Sequence, residues 1–242
     1  MEGAALESNT SWAKCSCHSA SGGIGAAIVE GLALEGARPV IHYERDRKKA
    51  EALLERIGGN GFIVQGDLAT SDGAFELWRA SVQAADRIHG LVNNAGIRTE
   101  ISVDSEPDEW RAVWQKEFQV NVFAAANLCR EAIRHFRQNG GGRIVNMSTR
   151  AGQRGYAADA MPYGATKAAL ANLSKSIARS FGADGVTAVD LARMGFHRDS
   201  RGLHRKAWQV VGRCRYSNWR DCHSVGNCRT CLLCIETVTS FP

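Results

Sequence analysis

Cysteine is nearly absent from the central part of this chain, and no part of the chain has an apolar run long enough to cross a membrane. Only Cys129 lies between Ser19 and Asp190. A secreted protein held by disulfides would spread its cysteines through the folded body, so this scarcity favours a reducing compartment. The first residues also lack the basic and apolar segments of a secretory signal. We therefore expect a cytoplasmic protein that does not enter a membrane.

The last part of the chain, residues 191–242, is rich in what the central part lacks. Nine basic and three acidic residues lie there, so the net charge of +5 belongs to this tail. Five of the eight cysteines lie there too, and Cys228, Cys231 and Cys234 form C-x2-C-x2-C. That spacing could ligate zinc or part of an iron–sulfur cluster. The proline that closes a ferredoxin-type motif and any nucleic-acid recognition motif are missing, so we expect neither metal nor nucleic acid to bind.

Between Ser19 and Asp190, short apolar runs alternate with segments of helical periodicity. The runs PVIHY, GFIVQGDL, HGLVNNAG, GRIVNMST and GVTAVD are typical of strands. Helices are indicated by GAAIVEGLALEG, DRKKAEALLERIGG, the long tract from Glu109 to Gly141 and PYGATKAALANLSKSIARSFG. This alternation predicts an α/β fold built on a doubly wound parallel sheet. We expect one domain at 19–190, an atypical N-terminal segment at 1–18 and an atypical, poorly ordered tail at 191–242.

Three motifs contain residues suited to chemistry. SASGGIG, residues 19–25, opens the first helix, and its glycines let a pyrophosphate approach the backbone. NNAG, residues 93–96, ends a strand, where asparagine and glycine also suit an ordinary turn. YGATK places Tyr163 and Lys167 four residues apart on one helix face. They form either an ordinary surface pair or an acid pair in which the ammonium lowers the phenol pKa, making the tyrosine a usable proton donor.

Taken together, these motifs resemble those of the short-chain dehydrogenase/reductase family. The resemblance runs from about Ser19 to Asp190 in unbroken order: the glycine turn, Asp67 after the third strand, NNAG, Asn121, the serine-containing strand and YxxxK. The family implies a Rossmann-type sheet, a bound nicotinamide cofactor and hydride transfer between that cofactor and a ketone or secondary alcohol. It also implies homo-oligomers that form through the two long helices.

The resemblance assigns the catalytic roles. Tyr163 would exchange a proton with the substrate oxygen, and Lys167 would lower the tyrosine pKa and hold the nicotinamide ribose. Asn121 would hold a water in the proton relay. The family's catalytic serine lies three residues before a glycine; Thr149 occupies that position here and Ser148 precedes it, so both hydroxyls stay candidates. No metal site is implied.

The resemblance also gives the residues that would contact the cofactor. They are Ser21, Gly23, Ile24, Gly25, Tyr43, Arg45, Asp67, Leu68, Asn94, Ala95, Gly96, Tyr163 and Lys167. An acid at the end of the second strand pairs with the ribose of NAD, whereas a basic group suits the 2′-phosphate of NADP. Tyr43 occupies the acid position and Arg45 follows closely, so we expect NADP(H) in preference to NAD(H).

Tyr43 and the stretch GARPVIHYERDRKKAEAL are most similar to the 3-oxoacyl-acyl-carrier-protein reductase branch of the family. This branch implies fatty acid biosynthesis and a small-molecule or acyl-carrier-protein-linked substrate. Two alternatives stay open: a dehydrogenase of a small alcohol or sugar-type ketone, and a non-catalytic NAD(P)-binding protein.

Two segments depart from the family pattern. AKCSCHS stands where the family has an apolar first strand, and DLARMGFHRDS stands where it continues N-x-x-x-P-G. Reading the codons of the second segment one nucleotide later allows P-G followed by W-V-S-T-E-I. We therefore hypothesise that residues after about 190, and a segment near Cys17, are frameshifted readings of a reductase gene. Because polar groups are costly to bury in a central strand, and the substrate side would lack its cover, we expect the chain as written to be weakly active or inactive.

Overall fold

The computed structural model describes residues 14–17 and 23–193, with side chains from residue 23 to residue 191. Its strands are β1 (Lys14–Cys17), β2 (Arg38–Tyr43), β3 (Phe62–Gln65), β4 (Gly90–Asn93), β5 (Gly142–Thr149) and β6 (Val186–Arg193). Its α-helices are α1 (Gly23–Leu34), α2 (Arg47–Arg56), α3 (Gly73–Ala85), α4 (Pro107–Phe118), α5 (Ala124–Gln138), α6 (Ala151–Arg154) and α7 (Met161–Phe181). A π-helical turn, Gln119–Phe123, joins α4 to α5.

The described strands form one parallel sheet in the order β3-β2-β1-β4-β5-β6. The chain builds outward from β1 to β3, then returns to the other side of β1 and builds outward again from β4. In sheets of this kind, ligands bind outside the carboxyl ends of the strands at the point where the order reverses. The topology therefore directs attention to the crevice above β1 and β4.

Helices cover both faces of the sheet because successive strand residues point to opposite sides. Leu91 and Ile144 are buried against α3 and α5. Their sequence neighbours Val92 and Val145 are buried on the other face, which packs with α1 and α2. This arrangement confirms the predicted doubly wound α/β fold.

The polar segment Lys14–Cys17 forms the central strand of the sheet. It pairs in parallel with Arg38–Ile41 of β2 and with Gly90–Val92 of β4. Backbone hydrogen bonds on both sides determine this placement, and they do not depend on side-chain polarity. The N-terminal segment set apart at 1–18 therefore contributes a strand to the domain, and the boundary expected at 190 falls inside β6.

Two helical features differ from expectation. Helix α3 occupies a stretch for which we made no prediction, although its buried residues have helical spacing: Ala74, Leu77, Trp78, Ser81 and Ala85. The tract expected to be one helix from Glu109 to Gly141 contains the π-helical turn at Gln119–Phe123.

Within residues 14–17 and 23–193, no helix combines the length and hydropathy needed to cross a bilayer. In the same ranges, no group of three or more His, Cys, Asp or Glu side chains could hold a metal ion. The cysteine cluster of the tail and the hypothesised frameshift after residue 190 concern residues that lie almost entirely outside the described part.

Candidate active site

The glycine turn lies at the start of α1, next to the central strand. Gly23 has φ +54°, a conformation that favours glycine, and open space surrounds the position of a Cβ. Gly23, Ile24 and Gly25 form the first turn of the helix, where the positive end of its dipole favours an anionic group such as a phosphate. Ser21, the remaining predicted contact in this turn, lies outside the described residues.

The turn after β4 provides a flat backbone surface beside two polar side chains. Gly96 is exposed, and a Cβ there would lie 3.1 Å from Lys167 Nζ and 3.4 Å from Asn121 Oδ1. Any larger residue would therefore crowd both groups. Asn94 and Ala95 are half-buried at the same edge of the sheet. A nicotinamide cofactor, if it lay along this edge, would reach Lys167 across the glycine.

Helix α7 brings Tyr163 and Lys167 together, as their spacing predicts. Lys167 Nζ lies 5.7 Å from the centre of the Tyr163 ring and donates a 2.9 Å hydrogen bond to the Met147 carbonyl of β5. Lys167 is buried, whereas Tyr163 is half-buried. The phenol therefore lies nearer to solvent than the ammonium that supports it.

The charge of Lys167 is held in an unfavourable environment. Burial lowers its pKa to about 8, and the negative charge of Glu117 opposes this shift. A lysine with a pKa near neutrality exchanges protons readily, which suits a group in a proton relay.

Asn121 lies in the π-helical turn and holds the turn after β4. Its Oδ1 accepts a 2.8 Å hydrogen bond from the Ile97 amide, and its Nδ2 donates to the Ile97 carbonyl at 2.9 Å. Nδ2 also donates to Thr166 Oγ1 at 3.1 Å, which connects this turn to α7 beside Lys167. A π turn accommodates an extra residue within a helix and is frequent at functional sites. Asn121 is fully buried and connects the turn after β4, the π-helical turn and α7.

The two candidate hydroxyls at the end of β5 have different environments. Ser148 is buried and its Oγ donates a 3.0 Å hydrogen bond to the Lys167 carbonyl. Thr149 is half-buried, and its Oγ1 accepts a 2.9 Å hydrogen bond from the Ala151 amide. The Thr149 hydroxyl therefore keeps its hydrogen for another acceptor, whereas the Ser148 hydrogen is already used.

The end of β2 combines a buried phenol with exposed guanidinium groups. Tyr43 is buried in the core on the α1–α2 face. Arg45 is exposed and pairs with Glu44 at 2.9 Å. Arg47, a residue not predicted from the sequence, forms an ion pair with Glu51 at 2.7 Å. Two cations thus lie near the position where the family discriminates between NAD and NADP.

The segment after β3 is ordered by its own side chains. Asp67 Oδ1 accepts a 2.8 Å hydrogen bond from the Ala69 amide, and the following Leu68 is buried in the core. Asp67 is accordingly a turn-forming residue whose neighbour anchors the loop. Contact of this loop with the adenine ring stays a prediction.

Three further residues beside the site were not predicted. Tyr156 packs against Tyr163 with ring centres 5.8 Å apart, and Arg98 Nη1 donates to the Tyr156 hydroxyl at 3.2 Å. Glu117, in α4, is fully buried and accepts a hydrogen bond from the Thr99 amide. Arg98 and Tyr156 lie in loops and carried no pattern. The only signal for Glu117 was an acidic residue one turn before Asn121.

Comparison with known proteins identifies the family. Residues 18–199 match the model described as short chain dehydrogenase, and this chain belongs to the short-chain dehydrogenase/reductase family. It is 32% identical over 182 residues to a 3-oxoacyl-[acyl-carrier-protein] reductase of Synechocystis sp., which covers 73% of this chain and 71% of that protein. A reductase with that name from Staphylococcus aureus is 33% identical over 181 residues, with the same coverage.

Solved structures agree with this assignment. Acetoin dehydrogenase from Enterobacter cloacae matches with a TM-score of 0.70 at 25% identity, over 76% of this chain and 73% of that one. The Pseudomonas aeruginosa RhlG/NADP active-site complex matches with a TM-score of 0.67 at 27% identity, over 74% and 71%. The protein is therefore an oxidoreductase of a family that binds a nicotinamide cofactor. The glycine turn and the open backbone at Gly96 fit such a cofactor.

Proposed function

We propose that this protein reduces the 3-oxo group of an acyl thioester, carried on acyl carrier protein, with NADPH as electron donor. The observation that carries the proposal is the grouping of Tyr163, Lys167 and Asn121 around Gly96 at the carboxyl end of β4. The substrate class is supported by the two reductases that are 32% and 33% identical. The reaction belongs to cytoplasmic fatty acid biosynthesis.

The side chains divide the proton chemistry between them. NADPH, when bound, supplies a hydride to the carbonyl carbon. Tyr163 donates its phenolic proton to the substrate oxygen, and the Lys167 ammonium stabilises the phenolate that remains. Thr149 donates a hydrogen bond to the same oxygen, because no acceptor among the described residues uses its hydroxyl hydrogen. Ser148 and Asn121 hold the backbone around these groups.

The preference for NADPH rests on Arg45 and Arg47. Both guanidinium groups lie near the end of β2, where the family places the 2′-hydroxyl or 2′-phosphate of the adenosine ribose. Glu44 pairs with Arg45, and Glu51 pairs with Arg47, so an arriving phosphate would compete with these carboxylates for the two cations.

A second candidate is a reductase of a small diketone or hydroxyketone. It is supported by the likeness to acetoin dehydrogenase, with a TM-score of 0.70. A cavity of about 330 Å³ beside the β4 turn is lined by Glu100, Ile101, Ser102, Val103, Ala158 and Asp159. The hydroxyl of a hydroxyketone could donate a hydrogen bond to either carboxylate of this lining.

A direct assay tests both candidates. The purified full-length chain is mixed with NADPH or NADH and either acetoacetyl thioester or diacetyl, and nicotinamide absorbance is followed. We expect NADPH and the thioester to give the higher kcat/KM. Tyr163→Phe should lower kcat by roughly 100- to 10,000-fold, because the proton donor is lost. Tyr156→Phe, the matched control beside it, keeps its ring contact with Tyr163 and should change kcat little.

Some outcomes would contradict the proposal. Equal rates for wild type and Tyr163→Phe would remove Tyr163 from the chemistry. Faster turnover of diacetyl than of the thioester would favour the second candidate. NADPH binding without turnover of either substrate would favour the non-catalytic alternative and the expectation that the chain as written is inactive.

We also infer that the protein assembles with copies of itself through the helical tract of α4 and α5. Trp110, Trp114, Phe118 and Phe123 form a chain of ring contacts along this tract, and Phe123 is 53% exposed. Sedimentation of the full-length chain would measure the assembly.

A further inference from the structure

A buried carboxylate lies one helical turn before Asn121 and has no role in the proposed chemistry. Glu117 is fully buried, although it belongs to a helix whose neighbouring residues Gln115 and Lys116 are exposed. Its Oε1 accepts a hydrogen bond from the Thr99 amide. Among the described residues, its Oε2 has no hydrogen-bond partner. A buried carboxylate with an unpaired oxygen is costly, so its presence requires a compensating interaction.

Glu117 and Asn121 together hold the turn that follows β4. Asn121 binds both the amide and the carbonyl of Ile97, and Glu117 binds the amide of Thr99. Gly96 begins this turn and lies directly against Lys167 Nζ. One stretch of helix therefore fixes, by two side chains, the backbone that lies beside the active-site lysine. A shift of this turn would move the surface next to Lys167.

The charge of Glu117 acts on the same lysine. Burial raises the pKa of the Glu117 carboxyl, and the Thr99 amide, Arg98 and Lys167 oppose this shift. Arg98 is exposed and already paired with Glu100, so solvent screens its interaction. Lys167 is buried, makes its hydrogen bond to a carbonyl, and faces the Tyr163 ring. Glu117 is a negative charge that raises the pKa of Lys167 against the effect of burial.

We propose that Glu117 is a positioning residue of this active site, one that holds the Gly96–Thr99 turn against α4 and supplies the counter-charge for the buried Lys167 ammonium. The inference rests on the proposed role of Lys167 in proton transfer. Its chemical content is electrostatic: no bond to Glu117 forms or breaks during turnover. Removing the charge of Glu117 while keeping its hydrogen-bond acceptor should leave the turn in place. The ammonium form of Lys167 should then become less stable relative to the neutral amine.

The test is a direct titration of Lys167 in the full-length protein labelled with ¹³C-lysine. Its NMR signal is identified by its absence from Lys167→Met. Glu117→Gln keeps an oxygen for the Thr99 amide and loses the charge, and we expect it to shift the Lys167 titration down by about one pH unit, a tenfold change in the ammonium-to-amine ratio. Glu109→Gln, an exposed acid on the same helix, should leave the titration unchanged. An unchanged titration in Glu117→Gln would overturn the proposal.

A reciprocal measurement covers the case in which Glu117→Gln does not fold. Coupling between two charges is mutual, so loss of the ammonium must act on the carboxylate. In Lys167→Met, the Glu117 carboxyl carbon should titrate at a higher pH than in the wild type, because a stabilising cation is gone. A carboxyl that titrates at the same pH in both proteins would show that the two groups are not coupled.

Turnover gives a third readout where the enzyme is active. Glu117→Gln should shift the alkaline limb of the kcat profile toward lower pH, while Glu109→Gln leaves it in place. A uniform loss of kcat at every pH would indicate a purely structural role and would contradict the proposal. If the wild type has no turnover, the proposed function fails, and the Lys167 titration still decides whether Glu117 is its counter-charge.

Discussion

Two buried polar clusters meet in the middle of this fold, and they are built differently. The active-site cluster contains two charged groups, Glu117 and Lys167, together with the neutral Asn121 and Ser148. The core amide chain contains only neutral groups at neutral pH: Asn93, Cys129, Asn146 and Ser174. Both are almost fully removed from water, and among the described residues each contains one oxygen without a hydrogen-bond partner, Glu117 Oε2 and Asn93 Oδ1. They differ in whether they bury charged groups.

The core amide chain is a continuous series of hydrogen bonds. Asn93 Nδ2 donates to Asn146 Oδ1 at 2.8 Å, and Asn146 Nδ2 donates to Ser174 Oγ at 2.8 Å. Ser174 in turn donates to the Leu170 carbonyl at 3.1 Å. Burial raises the pKa of the Cys129 thiol to about 12, so this group stays neutral as well. The chain therefore ties two strands to α7 without burying a charge.

The active-site cluster retains electrostatic stress that the core amide chain avoids. Lys167 keeps an ammonium whose pKa is lowered to about 8 by burial, and the Glu117 carboxyl is fully buried beside it in the same cluster. Groups that stabilise a fold need no such compromise, whereas groups that exchange protons do. The comparison supports a functional role for the active-site cluster, which lowers stability, and a structural role for the core amide chain, which raises it.

The largest effect that would test this contrast is expected from Lys167→Met. The variant should lose roughly 100- to 10,000-fold in kcat, and its stability relative to the wild type should change with pH. The sign of this pH dependence follows from the different proton binding of the folded and unfolded states. The lysine pKa is lowered from 10.5 to about 8 in the folded state, so the unfolded chain binds more protons between these values. Wild-type stability should therefore rise, relative to the variant, by roughly 3 kcal/mol from pH 8 to 10.5.

Urea unfolding at a series of pH values measures the difference. Lys116→Met, which removes an exposed lysine from α4, is the control and should show no such pH dependence. A stability difference between Lys167→Met and the wild type that stays constant from pH 8 to 10.5 would mean that burial does not strain the ammonium, and the contrast between the clusters would collapse.

The opposite result is expected for the core amide chain. Asn146→Ala removes three hydrogen bonds, leaves the Asn93, Ser174 and Cys129 groups without that partner and opens a small cavity. The free energy of unfolding should fall by about 2–4 kcal/mol. Asn172→Ala removes an exposed amide from α7 and should change it by less than about 0.5 kcal/mol. A loss equally small for Asn146→Ala would show that the chain does not stabilise the fold.

Sequence patterns predicted the fold and the closeness of Tyr163 to Lys167, because both depend on local spacing. Strand and helix periodicity predicted the doubly wound sheet, and the four-residue spacing predicted that Tyr163 and Lys167 share a helix face. Helix α3 could have been found in the same way, since its buried residues are spaced three or four apart. Placement of Lys14–Cys17 in the centre of the sheet could not, because it depends on backbone pairing with β2 and β4 rather than on side-chain pattern.

Groups that act across the fold escaped the sequence analysis. Glu117 follows Gln115 and Lys116 and looks like part of a solvated helix face, and only packing against the turn at Thr99 buries it. The choice between Ser148 and Thr149 likewise depends on which hydroxyl meets the Lys167 carbonyl. Strand alternation could have indicated that the two point in opposite directions, but not which direction faces α7.

The smallest effect, and the finest test of the comparison, is expected from Ser174→Ala. Two serines of α7 donate to the carbonyl four residues earlier: Ser174 to Leu170 at 3.1 Å and Ser176 to Asn172 at 3.2 Å. Only Ser174 is buried, and only Ser174 also accepts the Asn146 amide. Ser174→Ala should therefore lower the free energy of unfolding by about 1 kcal/mol, because it leaves a buried amide hydrogen unpaired.

Ser176→Ala removes the same kind of local hydrogen bond at an exposed position, where water replaces it, and alanine favours helix. We expect no loss of stability, and a slight gain, in parallel urea titrations. Equal losses for the two variants would mean that the local helix bond matters and the link to Asn146 does not. The core amide chain would then be a set of separate contacts, and its contrast with the active-site cluster would rest on Asn93 and Asn146 alone.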